Sequence, residues 1–238
     1  MVSVCMATYN GEKYIEIQLK SILYQLGDYD ELIISDDSST DRTVEIIKSF
    51  KDKRIKLFEN GQYHSPVFNF ENSLKRASND IIILSDQDDE WLEGRIIEIL
   101  LIFENHPEIS LIVNRCNIID ELGNIIRNSH FKDVNPVNHS FLHNLLHNPY
   151  LGCCMAFRKN ILEIALPFPN RIAMHDIWIG LIAQLNGKCI YFDKVLVNYR
   201  RHETNATKGG PYYPLWYKIW YRIVLFNLLI YRKLKRLF

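Results

Sequence analysis

Three carboxylates fall within four positions at Asp86-Gln87-Asp88-Asp89, directly after the apolar run Ile81-Ile82-Ile83-Leu84. Carboxylates this close repel one another and are costly to desolvate together, so a counter-charge should offset them. A hard divalent cation bound through oxygen answers that need. Taken alone, the same residues read as a solvated acidic turn, so their company decides between the two. A second acidic pair, Asp36-Asp37, closes the apolar run Leu32-Ile33-Ile34, and the polar turn Thr8-Tyr9-Asn10-Gly11 closes residues 2–7. Farther on, Asp176 heads an apolar helix, where the N-terminal dipole stabilises a carboxylate; by itself it reads as an N-cap.

Other chemistries that use such carboxylates fit poorly. An EF-hand loop beginning at Asp86 needs Gly at its sixth position and Glu at its twelfth, where Trp91 and Ile97 stand. An aspartyl phosphotransferase pattern has Thr or Val two residues after its second Asp, and here Glu90 stands there. The first turn lacks Gly-x-Gly-x-x-Gly, so no backbone cradle for a pyrophosphate is encoded. A bound diphosphate therefore needs another counter-charge, which a metal held by Asp88 supplies.

The elements that must position these residues alternate. A β-branched run at 2–7 precedes a helical stripe of Ile15, Leu19, Ile22, Leu23 and Leu26. The strand at 32–34 precedes a helix beginning near Asp41, with Ser39 or Thr40 as N-cap and Val44, Ile46, Ile47 and Phe50 as its apolar face. A strand at 54–58 precedes a helix carrying Phe70, Leu74 and Ala77. The strand at 81–84 precedes a helix over about 92–105, stopped by His106-Pro107. Four such alternations predict an α/β fold with a doubly wound, mostly parallel sheet, whose strand ends converge on one ligand-binding edge. Beyond 110 the pattern weakens. Strands are expected at 111–113 and 124–127, a short helix at 159–165, a firmer one at 177–185 and a last strand pair within 188–197. His130, His139, His143 and His147 lie in a polar stretch and read as surface residues.

Residues 214–238 differ in kind. On a helical wheel Lys218, Arg222, Arg232, Lys233 and Arg236 fall within an arc of roughly 100°. Trp216, Ile219, Trp220, Ile223, Phe226, Ile230, Tyr231 and Leu234 cover much of the rest. A basic, aromatic-rich amphipathic helix predicts membrane-interface contact; the alternative is a terminal helix docked on the domain or in a dimer.

Twenty-eight basic residues balance twenty-eight acidic ones, so charge gives no argument for nucleic acid as a partner. Five cysteines without a Cys-x-x-Cys pair argue against zinc, and most sit in apolar runs, as reduced thiols of a cytosolic protein do. The first residues lack the basic and apolar regions of a signal peptide, and no stretch has the length of a spanning helix, so a cytoplasmic location is expected.

In this order and spacing the motifs resemble the family-2 inverting glycosyltransferases of GT-A fold, in particular the bacterial enzymes that build surface polysaccharides such as O-antigen. The resemblance rests on Ala7-Thr8-Tyr9-Asn10-Gly11, Ile34-Ser35-Asp36-Asp37-Ser38-Ser39-Thr40-Asp41 and Leu84-Ser85-Asp86-Gln87-Asp88-Asp89-Glu90-Trp91. It extends to Gly152-Cys153-Cys154-Met155-Ala156-Phe157-Arg158 and Met174-His175-Asp176-Ile177-Trp178. It implies that Ala7, Thr8 and Tyr9 contact the nucleoside, and that Asp37, with Asp36 beside it, accepts from a uracil or thymine imide. Asp88 is the implied ligand of Mn²⁺ or Mg²⁺ on the diphosphate, with Asp86 on the ribose or the metal and Gln87 between them in the binding loop. Asp176 is the implied general base, and His175 stands where the family often has Glu. Arg95 is expected to orient the diphosphate or donor sugar, and Arg201 with His202 to close over the diphosphate.

The implied activity is transfer of a sugar from a UDP- or dTDP-activated donor to a lipid-linked saccharide at the inner face of the cell membrane. Residues 1–110 form the expected nucleotide-sugar half, 111–212 the acceptor half and 213–238 a membrane-associating tail. A nucleotidyltransferase shares the sheet and acidic site but carries a Gly-rich basic loop after its first strand, which Thr8-Tyr9-Asn10-Gly11-Glu12 is not. A non-catalytic sugar-nucleotide-binding protein is the reading from another class.

Overall fold

A computed structural model of the chain describes residues 1–129, 137, 140–203, 205 and 214–234. In chain order these form β1 Val2–Thr8, α1 Ile15–Leu23, β2 Glu31–Asp36, α2 Thr43–Ser49, β3 Ile55–Phe58, α3 Pro66–Leu74, β4 Ile81–Ser85, β5 Glu90–Trp91 and α4 Arg95–Asn105. There follow β6 Ile109–Ile119, β7 Ile125–Arg127, α5 Phe141–His147, a 3₁₀ turn Gly152–Cys154, β8 Met155–Arg158, α6 Asn160–Ala165, α7 His175–Asn186, β9 Lys188–Arg200 and α8 Leu215–Leu234.

The expected alternation produces the parallel half of one sheet, ordered β3-β2-β1-β4. All five residues of β4 are buried, which is why it reads as an unbroken apolar run rather than an alternating one. Register brings the strand ends together: Thr8 pairs with Asp36 across β1–β2, and Met6 with Ser85 across β1–β4. The turns carrying Tyr9, Asp37 and Asp86 therefore leave the same sheet edge.

Beyond β4 the sheet becomes mixed. β8 pairs antiparallel with β4 and β6, β9 runs parallel to β6, and the two-residue β5 pairs antiparallel with β9. Sequence reading divides 188–197 into two strands, whereas β9 is one strand of 13 residues with register shifts against β6. Its length matters to the site. Glu90 pairs with Asn198, so the end of β9 is delivered beside the acidic loop.

Two local expectations are also corrected. α4 begins at Arg95 rather than near 92, because Leu92 N still bonds to Leu196 O in the β5–β9 pairing and Gly94 turns the chain with φ 84°. Neither Ser39 nor Thr40 caps α2; Asp41 Oδ1 accepts from Thr43 N at 3.0 Å, while Ser39 and Thr40 bond to Asn10.

α8 docks through Leu225 and Leu229, which are buried. Ala173 N donates to Tyr221 Oη at 3.0 Å, and Arg232 Nη1 donates to Leu166 O at 2.9 Å. Trp216, Ile219, Trp220, Ile223, Ile230 and Tyr231 remain exposed. The helix is thus docked on the domain and presents apolar residues outward as well. Among the described residues no helix is long and apolar enough to cross a membrane. His130, His139 and Arg236 lie outside the described residues.

Candidate active site

A cleft of about 480 Å³ opens at the converging strand ends. It is lined by the strand-end turns (Ala7, Thr8, Tyr9, Asp37), the start of α3 (Ser65, Pro66), the acidic loop (Asp86, Gln87, Asp88) and the segments carrying Gly152 and Asp176, with His175 beside the latter.

The first turn and the acidic loop are laced together by one side chain. Gln87 Oε1 accepts from Tyr9 N at 2.9 Å, and Gln87 Nε2 donates to Tyr9 O at 3.0 Å. A Cβ at Gly11 would overlap the Gln87 amide, so glycine there permits the close approach. Asp37 accepts from Tyr63 N at 2.7 Å and from Ser65 N at 3.3 Å, which fixes the loop leading into α3 beside the cleft. Asn69 Nδ2 donates to Thr8 O at 3.0 Å and ties α3 to β1.

The acidic loop is held from the far end of the chain. Asp88 Oδ2 lies 2.7 Å from His202 Nε2 and accepts from Asn205 Nδ2 at 3.0 Å. Arg200, buried at the end of β9, donates its backbone N–H to Asp89 Oδ1 at 2.9 Å and its Nε to the Asp88 carbonyl at 2.9 Å. Its Nη1 reaches the carbonyls of Asp120 and Glu121, joining the loop to the β6–β7 turn. Tyr14 underlies both side chains, with its ring 4.9 Å from that of His202 and 4.8 Å from the Arg200 guanidinium.

Burial sets the electrostatics. Desolvation, with the charges of Asp88 and Asp176 added, pushes Asp86 up to about 7, and Arg95 opposes it. Asp89 is pushed well above the usual carboxylate range by burial and by Asp88 and Asp86. At Asp176, desolvation raises the carboxyl to about 6 against backbone hydrogen bonds from Ile177 and Gly152. Burial and mutual repulsion thus make these carboxylates costly to ionise together, a cost that a cation between them offsets. An all-oxygen set with one imidazole beside it suits Mg²⁺ or Mn²⁺. Among the described residues, the group whose donor atoms all lie within 4.8 Å of one another is Asp86, Asp89 and Cys153. Burial keeps the Cys153 thiol protonated, and sulfur is a poor ligand for hard cations, so the cleft-lining pair Asp86 and Asp88 is the better fit.

Most of the expected site residues meet at this cleft: Ala7, Thr8, Tyr9, Asp37, Asp86, Gln87, Asp88 and Asp176 line it, and His202 touches Asp88. Besides His202, three others do not line it. Asp36 is buried beneath the turn, where its carboxylate accepts from Thr8 Oγ1 at 2.9 Å, Ser39 N at 2.8 Å and Ser39 Oγ at 2.5 Å. Arg95 is fully buried, its guanidinium 4.1 Å from the Trp91 ring centre and its Nη2 donating to Cys153 O at 2.6 Å. It therefore sits behind the acidic loop rather than against a donor. Arg201 stacks on Tyr199, and the cation bonded to the loop is its neighbour Arg200. Sequence reading did not single out Arg200, Asn205, His64 or Asn69. The first two lie in the polar segment following β9, whose inward and outward sides only the strand pairing assigns.

Comparison with known proteins agrees with this architecture. A family model described as Glycosyl transferase family 2 matches residues 3–164, more than half of the chain. A UDP-Glc:alpha-D-GlcNAc-diphosphoundecaprenol beta-1,3-glucosyltransferase of Escherichia coli, WfgD, is 27% identical over 212 residues, covering 88% of this chain and 80% of its own. The dTDP-rhamnosyl transferase RfbG of Shigella flexneri is 28% identical over 236 residues, covering 90% and 77%. Among solved structures, S. aureus TarS 1–349 in complex with UDP-GlcNAc superposes with a TM-score of 0.71 at 22% identity, over 89% of this chain and 61% of that one. The mannosyltransferase PcManGT from Pyrobaculum calidifontis, in complex with GDP-Man and Mn²⁺, gives 0.61 at 18%, over 87% and 58%. The fold is accordingly of GT-A type. From the acidic strand ends through β8 and α6 the matched region carries the family's pattern, and the chain belongs to glycosyltransferase family 2.

Proposed function

We propose that the protein is an inverting glycosyltransferase that moves a sugar from a UDP- or dTDP-activated donor to a lipid-linked saccharide during surface-polysaccharide synthesis. The observation that carries this reading is the meeting, in one cleft, of Asp37 and the strand-end turns with the acidic loop and a desolvated carboxylate, Asp176. The two relatives above are named for UDP-glucose and dTDP-rhamnose chemistry, and one of them for a lipid diphosphate acceptor.

In this reading Ala7, Thr8 and Tyr9 bracket the nucleoside, and Asp37 accepts from the base imide. Asp86 and Asp88, with His202 against Asp88, hold Mn²⁺ or Mg²⁺. The cation, when bound, neutralises the charge that develops on the departing diphosphate. Asp176 takes the proton from the acceptor hydroxyl as that oxygen attacks the anomeric carbon from the face opposite the leaving group. Its elevated position near 6 leaves it ionised at neutral pH yet more basic than an ordinary aspartate. Residues 1–110 serve the donor and residues 111–212 the acceptor. The exposed Trp216, Ile219, Trp220 and Ile223 of α8 lie on the inner membrane surface where a lipid-linked acceptor is reached.

The test is release of nucleoside diphosphate from UDP-glucose and dTDP-rhamnose, with Mn²⁺, upon addition of a GlcNAc-diphosphate-lipid acceptor. Acceptor-dependent release that stops with chelator supports the reading. Binding of both donors without any release, with or without acceptor, overturns it in favour of a non-catalytic binder.

A further inference from the structure

His175 is 3% exposed, lines the cleft next to Asp176, and among the described residues has no hydrogen-bond partner at either ring nitrogen. Its ring stacks on Phe70, with centroids 4.1 Å apart and planes 26° from parallel. Burial alone drives the imidazole down to about 3, so it is uncharged at neutral pH, with one nitrogen as donor and the other as acceptor. A side chain needed only for packing against Phe70 would not carry two buried polar atoms, because leaving such atoms unpaired is costly. Phenylalanine or leucine fills the same space without that cost.

The surroundings are arranged to admit the ring. A Cβ at position 152 would stand 3.1 Å from His175 Nε2, tighter than nearly all real contacts, so Gly152 lets the 3₁₀ turn approach the imidazole edge. The backbone N–H of Gly152 also hydrogen-bonds Asp176, which locks turn and helix start together. α3 supplies the wall on the other side. Its Pro66 and Asn69 face the cleft near Asp37, and Phe70 follows them to the His175 ring. His175 thus lines the same cleft as Asp37, joined to it through α3 and adjacent to Asp176.

We infer that His175 is a specificity-determining residue whose neutral imidazole hydrogen-bonds a ring hydroxyl of the donor sugar. This rests on the donor-binding reading above, in which the transferred sugar occupies the space between the nucleoside and Asp176. A neutral imidazole both donates and accepts, which matches a hydroxyl, and it does not compete with Asp86 and Asp88 for the cation as a further carboxylate would.

The test compares wild type with His175→Phe, which keeps the stack on Phe70, and His175→Gln, which restores polar reach. Calorimetric affinities are measured with Mn²⁺ for UDP, UDP-glucose, dTDP and dTDP-rhamnose, and thermal unfolding confirms that each variant folds. The expected result is unchanged affinity of His175→Phe for the two diphosphates and about tenfold loss for the preferred nucleotide sugar. His175→Gln should recover part of that loss. Equal affinities of His175→Phe and wild type for the nucleotide sugar overturn the inference. A loss appearing only in the KM for the lipid-linked acceptor overturns it as well, by assigning the hydroxyl to the acceptor. Wild type that binds none of the four ligands overturns the donor-binding reading together with this inference. If His175→Phe fails to fold, an unchanged sugar-to-diphosphate affinity ratio in His175→Gln and His175→Asn overturns it instead.

Discussion

His202 Nε2 sits 2.7 Å from Asp88 Oδ2, across 114 residues of sequence. An imidazole and a carboxylate at that distance act as one unit toward a third group. Asp88→Asn and His202→Phe should each lower Mn²⁺-supported sugar transfer by about 10–100-fold, as loss of a metal ligand's partner does. The double variant should be little worse than either single one, because each removes the same arrangement. Strict additivity in this double-mutant cycle would show that the two act separately.

Asp176→Asn should bind the nucleotide sugar as wild type does and lose turnover by at least about 10²-fold. Wild-type kcat/KM should fall as pH drops through about 6, where the carboxylate takes up its proton and ceases to be a base. The stability effect has the opposite direction. A carboxyl whose folded value is raised prefers the protonated form in the fold, so stability declines as pH rises from the unfolded value, about 3.9, to about 6. Above pH 6 the amide variant should therefore melt a few degrees higher than wild type. Differential scanning calorimetry at pH 8 checks this, and an unchanged or lower Tm would mean the charge is well solvated.

Arg200 bonds to the carbonyls of Asp88, Asp120 and Glu121 while its backbone holds Asp89. Arg200→Met should cost about 1–3 kcal/mol of stability, since it orphans three part-buried carbonyls around the acidic loop. Arg200→Lys should rescue little of it, because one ammonium cannot reproduce the planar fork. Urea unfolding of the three forms distinguishes this from a solvent-exposed cation, whose replacement would be near neutral.

Deleting α8 removes Leu225 and Leu229 from the core, so a truncated protein confounds membrane loss with loss of stability. Substituting the exposed Ile219, Ile223 and Ile230 by Ser leaves the buried Leu225 and Leu229 in place. That triple variant should keep its Tm and lose affinity for phosphatidylglycerol vesicles on the order of 100-fold, as three apolar side chains leave the interface. Equal sedimentation of both forms with vesicles would refute interfacial contact by this helix.

The parallel half of the fold was legible because each of its strands is a continuous apolar run and each connection a helix with one apolar stripe. Asp86 and Asp88 were legible for the same reason, since they follow directly on β4. Arg200 and Arg201 were not separable from sequence, because which of two adjacent cations turns inward depends on the pairing of Ile119 with Arg200 in β6–β9. That pairing is long-range and interrupted by register shifts, so no local pattern reports it. Arg95 was misplaced for a related reason. A charged residue at the start of a helix ordinarily faces solvent, whereas the Trp91 ring and the Cys153 carbonyl draw this one inside.

The long β9 has a consequence in time. At a synthesis rate of about 5–20 residues per second, the stretch between Asp88 and His202 takes roughly 6–23 s to emerge. Throughout that interval the acidic loop lacks the imidazole, the amide and the guanidinium that later fix it. A nascent chain with its first four strands paired therefore has a cleft without a closed far side. The contacts that fix the acidic loop can form only once β9 adds to β6.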